Sequence, residues 1–124
     1  MQKSNVLIVD DAPINRELLA FILQDHYQVF QAENGKQAIE MIESKERIYR
    51  LVLLDIQMPV MNGYDATLAI RKMKDTKKAR IPIVAMTANA FAEDRQKALA
   101  VGMNDHVAKP VDTNILAPPM IIYL

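Results

Sequence analysis

The chain has 124 residues, with 15 acidic and 15 basic side chains, and it contains no cysteine. This length corresponds to one domain, and a composition of 51% hydrophobic and 24% charged residues is globular rather than disordered. Zero net charge gives no overall attraction to nucleic acid or to an acidic membrane surface. The lack of Cys excludes a disulfide scaffold, a thiolate zinc site and a cysteine nucleophile. No stretch approaches the ~20 apolar residues that a membrane span needs, so we expect a cytoplasmic domain without membrane contact.

Apolar runs and segments of helical period alternate along the chain. The predicted strands cover residues 6–9, 27–32, 51–54, 81–85 and 106–108. Helices are predicted around residues 13–22, 38–42, 64–73 and 91–101, with a fifth beginning at Asp112. Ile14, Leu18 and Ile22, with Leu19 beside them, form one apolar stripe in the first helix, and Gly102 is predicted to end the fourth helix. This alternation predicts an α/β domain over residues 1–124, a doubly wound five-stranded parallel sheet with helices on both faces.

Two segments leave alternatives open. The basic run from Arg71 to Arg80 is interpreted as a solvated helix end and loop, or else as a docking patch for an acidic partner. Pro118-Pro119 would kink or break the last helix, because each proline removes a backbone donor and clashes one turn back. The apolar tail 118–124 then packs on the domain, on a second copy in a homodimer, or on a neighbouring domain.

Polar side chains follow the predicted strands at the points where they end. Asp10, Asp11 and Asp55 come directly after two apolar runs, and Thr87 and Lys109 follow two others. Ligands of open α/β sheets bind outside the carboxyl ends of the strands, where the strand order reverses. Three carboxylates meeting there need a cation, and oxygen-only ligation favours Mg²⁺, with Mn²⁺ as an alternative. The competing interpretation is that Asp10 or Asp11 caps the first helix and Asp55 merely ends a strand.

Five motifs occur in a fixed order and spacing over residues 6–112. They are Asp10-Asp11-x-x-x-Asn15-Arg16, Asp55-Ile56-Gln57-Met58-Pro59-Val60-Met61-Asn62-Gly63, Met86-Thr87-Ala88-Asn89-Ala90, Gly102-Met103-Asn104-Asp105 and Lys109-Pro110. Each motif is weak alone, but together they resemble the receiver domain of two-component response regulators, particularly those of hybrid histidine kinases and phosphorelays. This resemblance implies a flavodoxin-like sheet with strand order 2-1-3-4-5 and five helices.

The resemblance also implies a set of ligands and a phosphoacceptor. Asp55 would take a phosphoryl group from the phosphohistidine of a histidine kinase or a histidine phosphotransfer domain. Asp11 and Asp55 would bind Mg²⁺ together with the backbone carbonyl of Gln57, and Asp10 would act mainly through a metal-bound water. Such a domain catalyses its own phosphorylation and dephosphorylation and is a signalling module rather than an enzyme.

Further positions would control the switch. Lys109 would pair with the phosphoryl oxygens, Thr87 would turn to bond one of them, and the Lys109-Pro110 bond would be cis. Gln57 and Asn89 occupy the positions that set the lifetime of the acyl phosphate. His106 stands where the family usually has Tyr or Phe, which adds a titratable ring beside the switch threonine.

Three other classes are weaker. A haloacid-dehalogenase-type phosphotransferase needs Asp-x-Asp at its nucleophile, but Ile56-Gln57 follows Asp55. A flavodoxin-type binding module needs a phosphate-cradling loop after the first strand, which the sequence lacks. A receiver fold that has lost phosphorylation is disfavoured because all five expected polar positions are present.

Overall fold

One or two helices separate each strand from the next in the computed structural model, which describes residues 3–58, 60–87 and 92–108. The strands are β1 (Ser4–Val9), β2 (Tyr27–Ala32), β3 (Leu51–Asp55), β4 (Ile83–Thr87) and β5 (Asp105–Ala108). The helices are α1 (Pro13–Leu23), α2 (Gly35–Glu43), α3 (Gly63–Arg71), α4 (Thr76–Ala79) and α5 (Ala92–Val101).

All five strands are parallel and lie in the order β2-β1-β3-β4-β5, as predicted. In β1, Val6 pairs with Val29 of β2 on one side and with Leu51 of β3 on the other. The chain winds toward one edge of the sheet after β1 and toward the other edge after β3. The carboxyl ends of β1 and β3 therefore form the switch point at which this fold class binds ligands.

Each face of the sheet carries its own apolar layer, which explains the continuous apolar runs of the central strands. One layer joins Leu7, Val52 and Ile83 to the buried sides of α2 and α3. The other layer joins Val6 and Leu53 to α1. A strand buried on both faces has no solvent side on which polar residues could alternate with apolar ones.

The apolar residues predicted along α1 divide between the core and the surface, and Ile22 is one of those packed against the core. Leu19 and Leu23 are the buried residues of this helix, whereas Ile14 is 78% and Leu18 is 51% exposed. Periodicity alone identified an apolar side of the helix, but the helix is apolar over more than one side. Burial selects the side that reaches the sheet.

The segment from Thr76 to Thr87 also differs from the prediction. The β4 strand begins at Ile83 rather than at residue 81, because pairing with β3 starts at the Val52–Ile83 pair. The short helix α4 lies in the basic run that the sequence predicts to be a helix end and loop. Asp75 caps it by accepting hydrogen bonds from the backbone N–H groups of Lys77 and Lys78. The predicted end of α5 is confirmed, since Gly102 follows it with a φ of 106°.

Several predictions fall outside the described residues. They concern Asn89, Lys109, the Lys109-Pro110 bond, and the kinked last helix with its tail 118–124. Within the described ranges, no helix is long and apolar enough to cross a membrane.

Candidate functional site

The three predicted carboxylates come together at the switch point. Asp10 and Asp55 are buried, at 0% and 3% exposure, while Asp11 is exposed. One carboxylate oxygen from each residue lies within 4.8 Å of the others. Negative charges this close repel one another unless a cation or protons join them. An all-oxygen cluster with one solvent-facing member fits a hard divalent ion such as Mg²⁺, which keeps several of its waters.

Asp10 is held by both neighbouring segments. Its backbone N–H donates to the carbonyl of Ala32, and its Oδ1 accepts a 2.9 Å hydrogen bond from the N–H of Ala12. Arg16 donates from Nη1 to the Asp10 carbonyl at 2.7 Å and from Nε to the Gln31 side chain. Ala12 is the N-cap residue of α1 and provides no side-chain cap, so neither Asp10 nor Asp11 caps this helix. The competing interpretation of these two acids is therefore not supported.

Asp55 lies at the end of β3, where the backbone of the following loop holds its side chain. Its Oδ1 accepts a 3.0 Å hydrogen bond from the N–H of Gln57. The N–H of Ile56 donates to the Met86 carbonyl of β4, and the Ile56 carbonyl accepts from the N–H of Gly63. The loop thus returns to the strand end, which orients Asp55 toward the carboxyl edge of the sheet.

Gly63 makes this return possible. A Cβ at this position would lie 2.6 Å from the Asp55 carbonyl oxygen and 2.7 Å from the Ile56 Cα. Both are backbone atoms that cannot turn away. The sequence motif includes this glycine, but only the structure shows that α3 begins against the backbone of the candidate site. Arg16 also belongs to a sequence motif, but only the structure shows its role, which is to hold the Asp10 carbonyl.

Thr87 and His106 lie on the same face of the sheet. Thr87 ends β4 and is 1% exposed, and His106 pairs with Ala85, two residues earlier on that strand. Since paired residues and every second residue share a face, the imidazole and the threonine point to the same side. Within the described part of the chain, both ring nitrogens of His106 are buried without a hydrogen-bond partner.

Comparison with known proteins decides the family. A family model for the response regulator receiver domain matches residues 6–118 of this chain. The chain belongs to this family. The acidic cluster of this receiver domain lies at the carboxyl ends of β1 and β3.

Relatives come from bacteria and eukaryotes. The sensor histidine kinase RcsC of Salmonella typhimurium is 41% identical over 119 residues, which are 95% of this chain and 12% of that protein. Hybrid signal transduction histidine kinase B of Dictyostelium discoideum is 38% identical over 126 residues, which are 94% of this chain and 6% of that protein. The receiver domain thus spans only about a tenth or less of the length of these relatives.

Two solved receiver domains are close in structure. That of the sensor histidine kinase PA1611 from Pseudomonas aeruginosa holds a magnesium ion in its active site cleft. It has a TM-score of 0.86 and 34% identity, with 98% of this chain and 97% of that one covered. The receiver domain of Ssk1 from Saccharomyces cerevisiae, solved with the histidine phosphotransfer protein Ypd1, has a TM-score of 0.88 and 34% identity. The match covers 98% of this chain and 89% of that one.

Proposed function

We propose that this receiver domain accepts a phosphoryl group on Asp55 in a reaction that depends on a divalent cation, and that the modification switches a surface beside Thr87 and His106. The observation that carries the proposal is the cluster of Asp10, Asp11 and Asp55 at the switch point of the sheet. The magnesium ion in the PA1611 receiver domain supports the same interpretation of the cluster.

Asp55 performs the covalent step. Its carboxylate oxygen attacks phosphorus and the bond from phosphorus to the donor histidine nitrogen breaks; because the other ring nitrogen of the donor carries a proton, the imidazole leaves as the neutral base. The hydrogen bond from the Gln57 N–H holds Oδ1 in place, which reduces the orientational freedom that the attack would otherwise have to lose. Burial of Asp55 limits the access of water to the acyl phosphate.

Asp10, Asp11, Asp55 and the backbone carbonyl of Gln57 are the groups that would hold the ion. When bound, Mg²⁺ neutralises charge on the transferring phosphoryl group. Asp10 contributes from a fixed position, because the Ala12 N–H and Arg16 hold its side chain and its carbonyl. Asp11 is the exposed member and lies on the side from which a donor approaches.

The conformational response involves the positions that the family resemblance assigned. A phosphoryl group brings about −1.5 to −2 charges into the site, enough to attract Lys109 and the Thr87 hydroxyl. His106 then moves into the space beside Thr87 on the shared face. We propose that the neutral side chains of Gln57 and Asn89 set the lifetime of the phosphoryl group, and the family resemblance also implies a cis Lys109-Pro110 bond.

The exposed side of α1 is the candidate docking site for the phosphodonor. Ile14, Leu18 and Phe21 are 78%, 51% and 70% exposed and recur at helical spacing; we call them the α1 stripe. The helix begins two residues after Asp11, so a protein seated on the stripe also reaches the carboxylates. Large apolar side chains exposed together mark a protein interface. The complex of the related Ssk1 receiver domain with Ypd1 supports a histidine-containing partner.

The wider context follows from the relatives. We propose that residues 1–124 form one cytoplasmic receiver domain and that its donor is a histidine kinase or a histidine phosphotransfer domain. The output partner contacts the switched surface, with no direct role for nucleic acid. A longer parent protein of the hybrid histidine kinase type, and a homodimer through the apolar tail, are consistent with the resemblance.

Phosphorylation by acetyl phosphate tests the proposal. Intact-mass measurement is expected to show one phosphoryl adduct with Mg²⁺, none after chelation with EDTA, and none in Asp55→Asn. Asp65→Asn is the matched control, because Asp65 is an exposed carboxylate in the first turn of α3 and should keep the adduct. Absence of any adduct in the wild type would instead indicate a receiver fold that only mediates contacts.

A further inference from the structure

The amino ends of the strands, opposite the carboxylate cluster, form an edge of the sheet that carries a concentration of positive charge. Six cationic side chains precede β1, β3 and β4, and they surround one exposed isoleucine, Ile48. We call this set the basic edge surface: Lys3, Lys45, Arg47, Arg50, Lys77 and Lys78 around Ile48. The set differs from the basic run seen in the sequence, because Arg71 turns inward and bonds backbone carbonyls.

Two adjoining concavities show that these residues form one continuous surface. Lys3, Lys45 and Arg50 line an open depression that also includes Arg47 and Ile48. A smaller cavity of about 70 Å³ shares Arg47 and Ile48 with that depression. Lys77 and Lys78 lie at the second cavity, so the positive charge extends from the start of β1 to the segment before β4.

The positive charge of this surface is not balanced locally. The described residues that line its concavities include two carboxylates, and both already have partners. Glu46 lies 3.8 Å from Arg47, and Asp75 accepts the backbone N–H groups at the start of α4. Six cations against two carboxylates give a strongly positive patch on a chain whose net charge is zero. Such a patch attracts an acidic partner and speeds its association.

Three of the six cations are held in place rather than freely solvated. The Arg47 guanidinium lies 4.2 Å from the centre of the Phe30 ring, which packs edge-on against Tyr49. Lys78 Nζ donates to the Glu43 carbonyl at 2.8 Å, and Lys3 Nζ donates to the Gln24 carbonyl at 2.9 Å. Charges fixed before binding lose less conformational entropy when a partner arrives.

The small cavity provides an apolar anchor point inside this charged rim. Ile42, Tyr49 and Ile81 form its walls, and Ile48 at its edge is 72% exposed. A cavity of about 70 Å³ is larger than one water requires and about half the size of an apolar cavity that binds benzene, so it suits one small aliphatic side chain. The Tyr49 hydroxyl is buried with no partner among the described residues.

We propose that the basic edge surface docks an acidic polypeptide segment of a partner protein, with one small aliphatic side chain entering the cavity and carboxylates meeting the surrounding cations. An apolar pocket within a polar rim is the arrangement of a protein interface. Nucleic acid and lipid headgroups would use the charge but not the pocket. The surface lies at the opposite edge from Asp55, so this partner and a phosphodonor can bind at the same time.

Binding of a synthetic probe tests the proposal. The probe is the acetylated, amidated peptide Glu-Asp-Glu-Val-Asp-Glu, titrated into the full ¹⁵N-labelled chain while amide chemical shifts are followed. We expect shift changes confined to residues 3–5, 42–50 and 75–81, and their loss at about 0.5 M NaCl. Replacing Val in the peptide by Gly should weaken binding about fivefold or more, because the pocket is then empty.

Variants of the chain complete the test. Lys45→Glu/Arg50→Glu should weaken peptide binding about tenfold or more, whereas the control Lys36→Glu/Arg95→Glu, with the same charge change on α2 and α5, should not. Ile48→Ser should act like the Gly peptide, and Leu99→Ser, at an exposed leucine of α5, should not. Acetyl phosphate should phosphorylate every variant as it does the wild type. A failure of peptide binding can then be distinguished from a failure of the phosphorylation proposal.

Three outcomes of the peptide experiments would overturn the proposal. They are peptide binding that is absent, binding that is equal for the Val and Gly peptides, and shift changes centred elsewhere on the domain. Binding to vesicles of phosphatidylserine and phosphatidylcholine without binding to the peptide would also overturn it, in favour of a membrane-facing surface.

Discussion

At Gly63, the start of α3 meets the backbone that carries Asp55. No side chain fits between them, since a Cβ would lie well inside the contact distance of two backbone atoms. Gly35 presents a different case. The nearest atoms to a Cβ there are at 3.1 Å, and two of the three belong to the side chains of Ala66 and Met61.

We therefore predict that Gly63→Ala is more destabilising than Gly35→Ala. Forced overpacking typically costs about 1–3 kcal/mol, and Gly63→Ala should fall at the upper end because backbone must move. The shift would also displace Asp55 and slow its phosphorylation. Urea unfolding and the rate of adduct formation measure the two effects. Equal stability of both variants would show that the close approach is not rigid.

Arg71 is the residue that ties three segments together on the other side of the molecule. Its guanidinium donates to the carbonyls of Ala79, Ile81 and Gly102 and to the side chain of Asn104. Burial lowers the pKa of Arg71, yet an arginine remains charged at neutral pH. Hydrogen bonds from a charged donor are stronger than neutral ones, so this residue joins the end of α3 to the starts of β4 and β5.

Arg71→Met should reduce the free energy of unfolding by about 2–4 kcal/mol, because several carbonyls lose a charged donor at once. Lys72→Met is the control; Lys72 is exposed, and its replacement should stay within about 0.5 kcal/mol of the wild type. Both values come from urea denaturation. A small effect of Arg71→Met would mean that water replaces the guanidinium without cost.

At the scale of elements, the two sides of α1 have different surroundings. Leu19 and Leu23 pack on the sheet, while the α1 stripe points to solvent beside the carboxylates. The strand order explains why the α1 stripe lies beside the carboxylates, because the helix that follows β1 must begin at the switch point. Burial of one side contributes stability, and we propose that the exposed side recognises the phosphodonor.

The two sides of α1 should respond differently to truncation. Leu19→Ala is expected to cost about 2–5 kcal/mol, as for other buried leucines. Phe21→Ala should leave stability nearly unchanged but slow phosphotransfer from a phosphohistidine donor protein. Acetyl phosphate has no protein surface to dock, so its reaction rate should be the same in Phe21→Ala and wild type. A slower reaction with both donors would place Phe21 in the catalytic site instead.

At the scale of the whole molecule, most of the fold could be predicted from the sequence. Buried parallel strands produce continuous apolar runs, and Asp10, Asp11 and Asp55 mark the ends of two of them. What could not be predicted depends on contacts distant in sequence. The choice of Leu19 over Leu18 for the core, the inward turn of Arg71 and the closeness of Gly63 to Asp55 all arise from packing between elements.

The distribution of charge over the molecule also depends on residues that are distant in sequence. The carboxylate cluster and the basic edge surface lie at opposite edges of one sheet, although the sequence is neutral overall. The basic run near Arg71 was the only hint of this separation, and it identified only part of the surface. Residues before β1 and β3 join it only once the parallel strands bring their amino ends together.

The central claim is that Asp55, among three neighbouring carboxylates, carries the phosphoryl group. The most direct measurement is borohydride reduction of the domain after reaction with acetyl phosphate and Mg²⁺, followed by tandem mass spectrometry of its peptides. Reduction converts an aspartyl phosphate to homoserine and so labels the modified residue. We predict homoserine at position 55 and unmodified aspartate at positions 10 and 11. Homoserine at position 10 or 11, or at none of the three, would contradict the account.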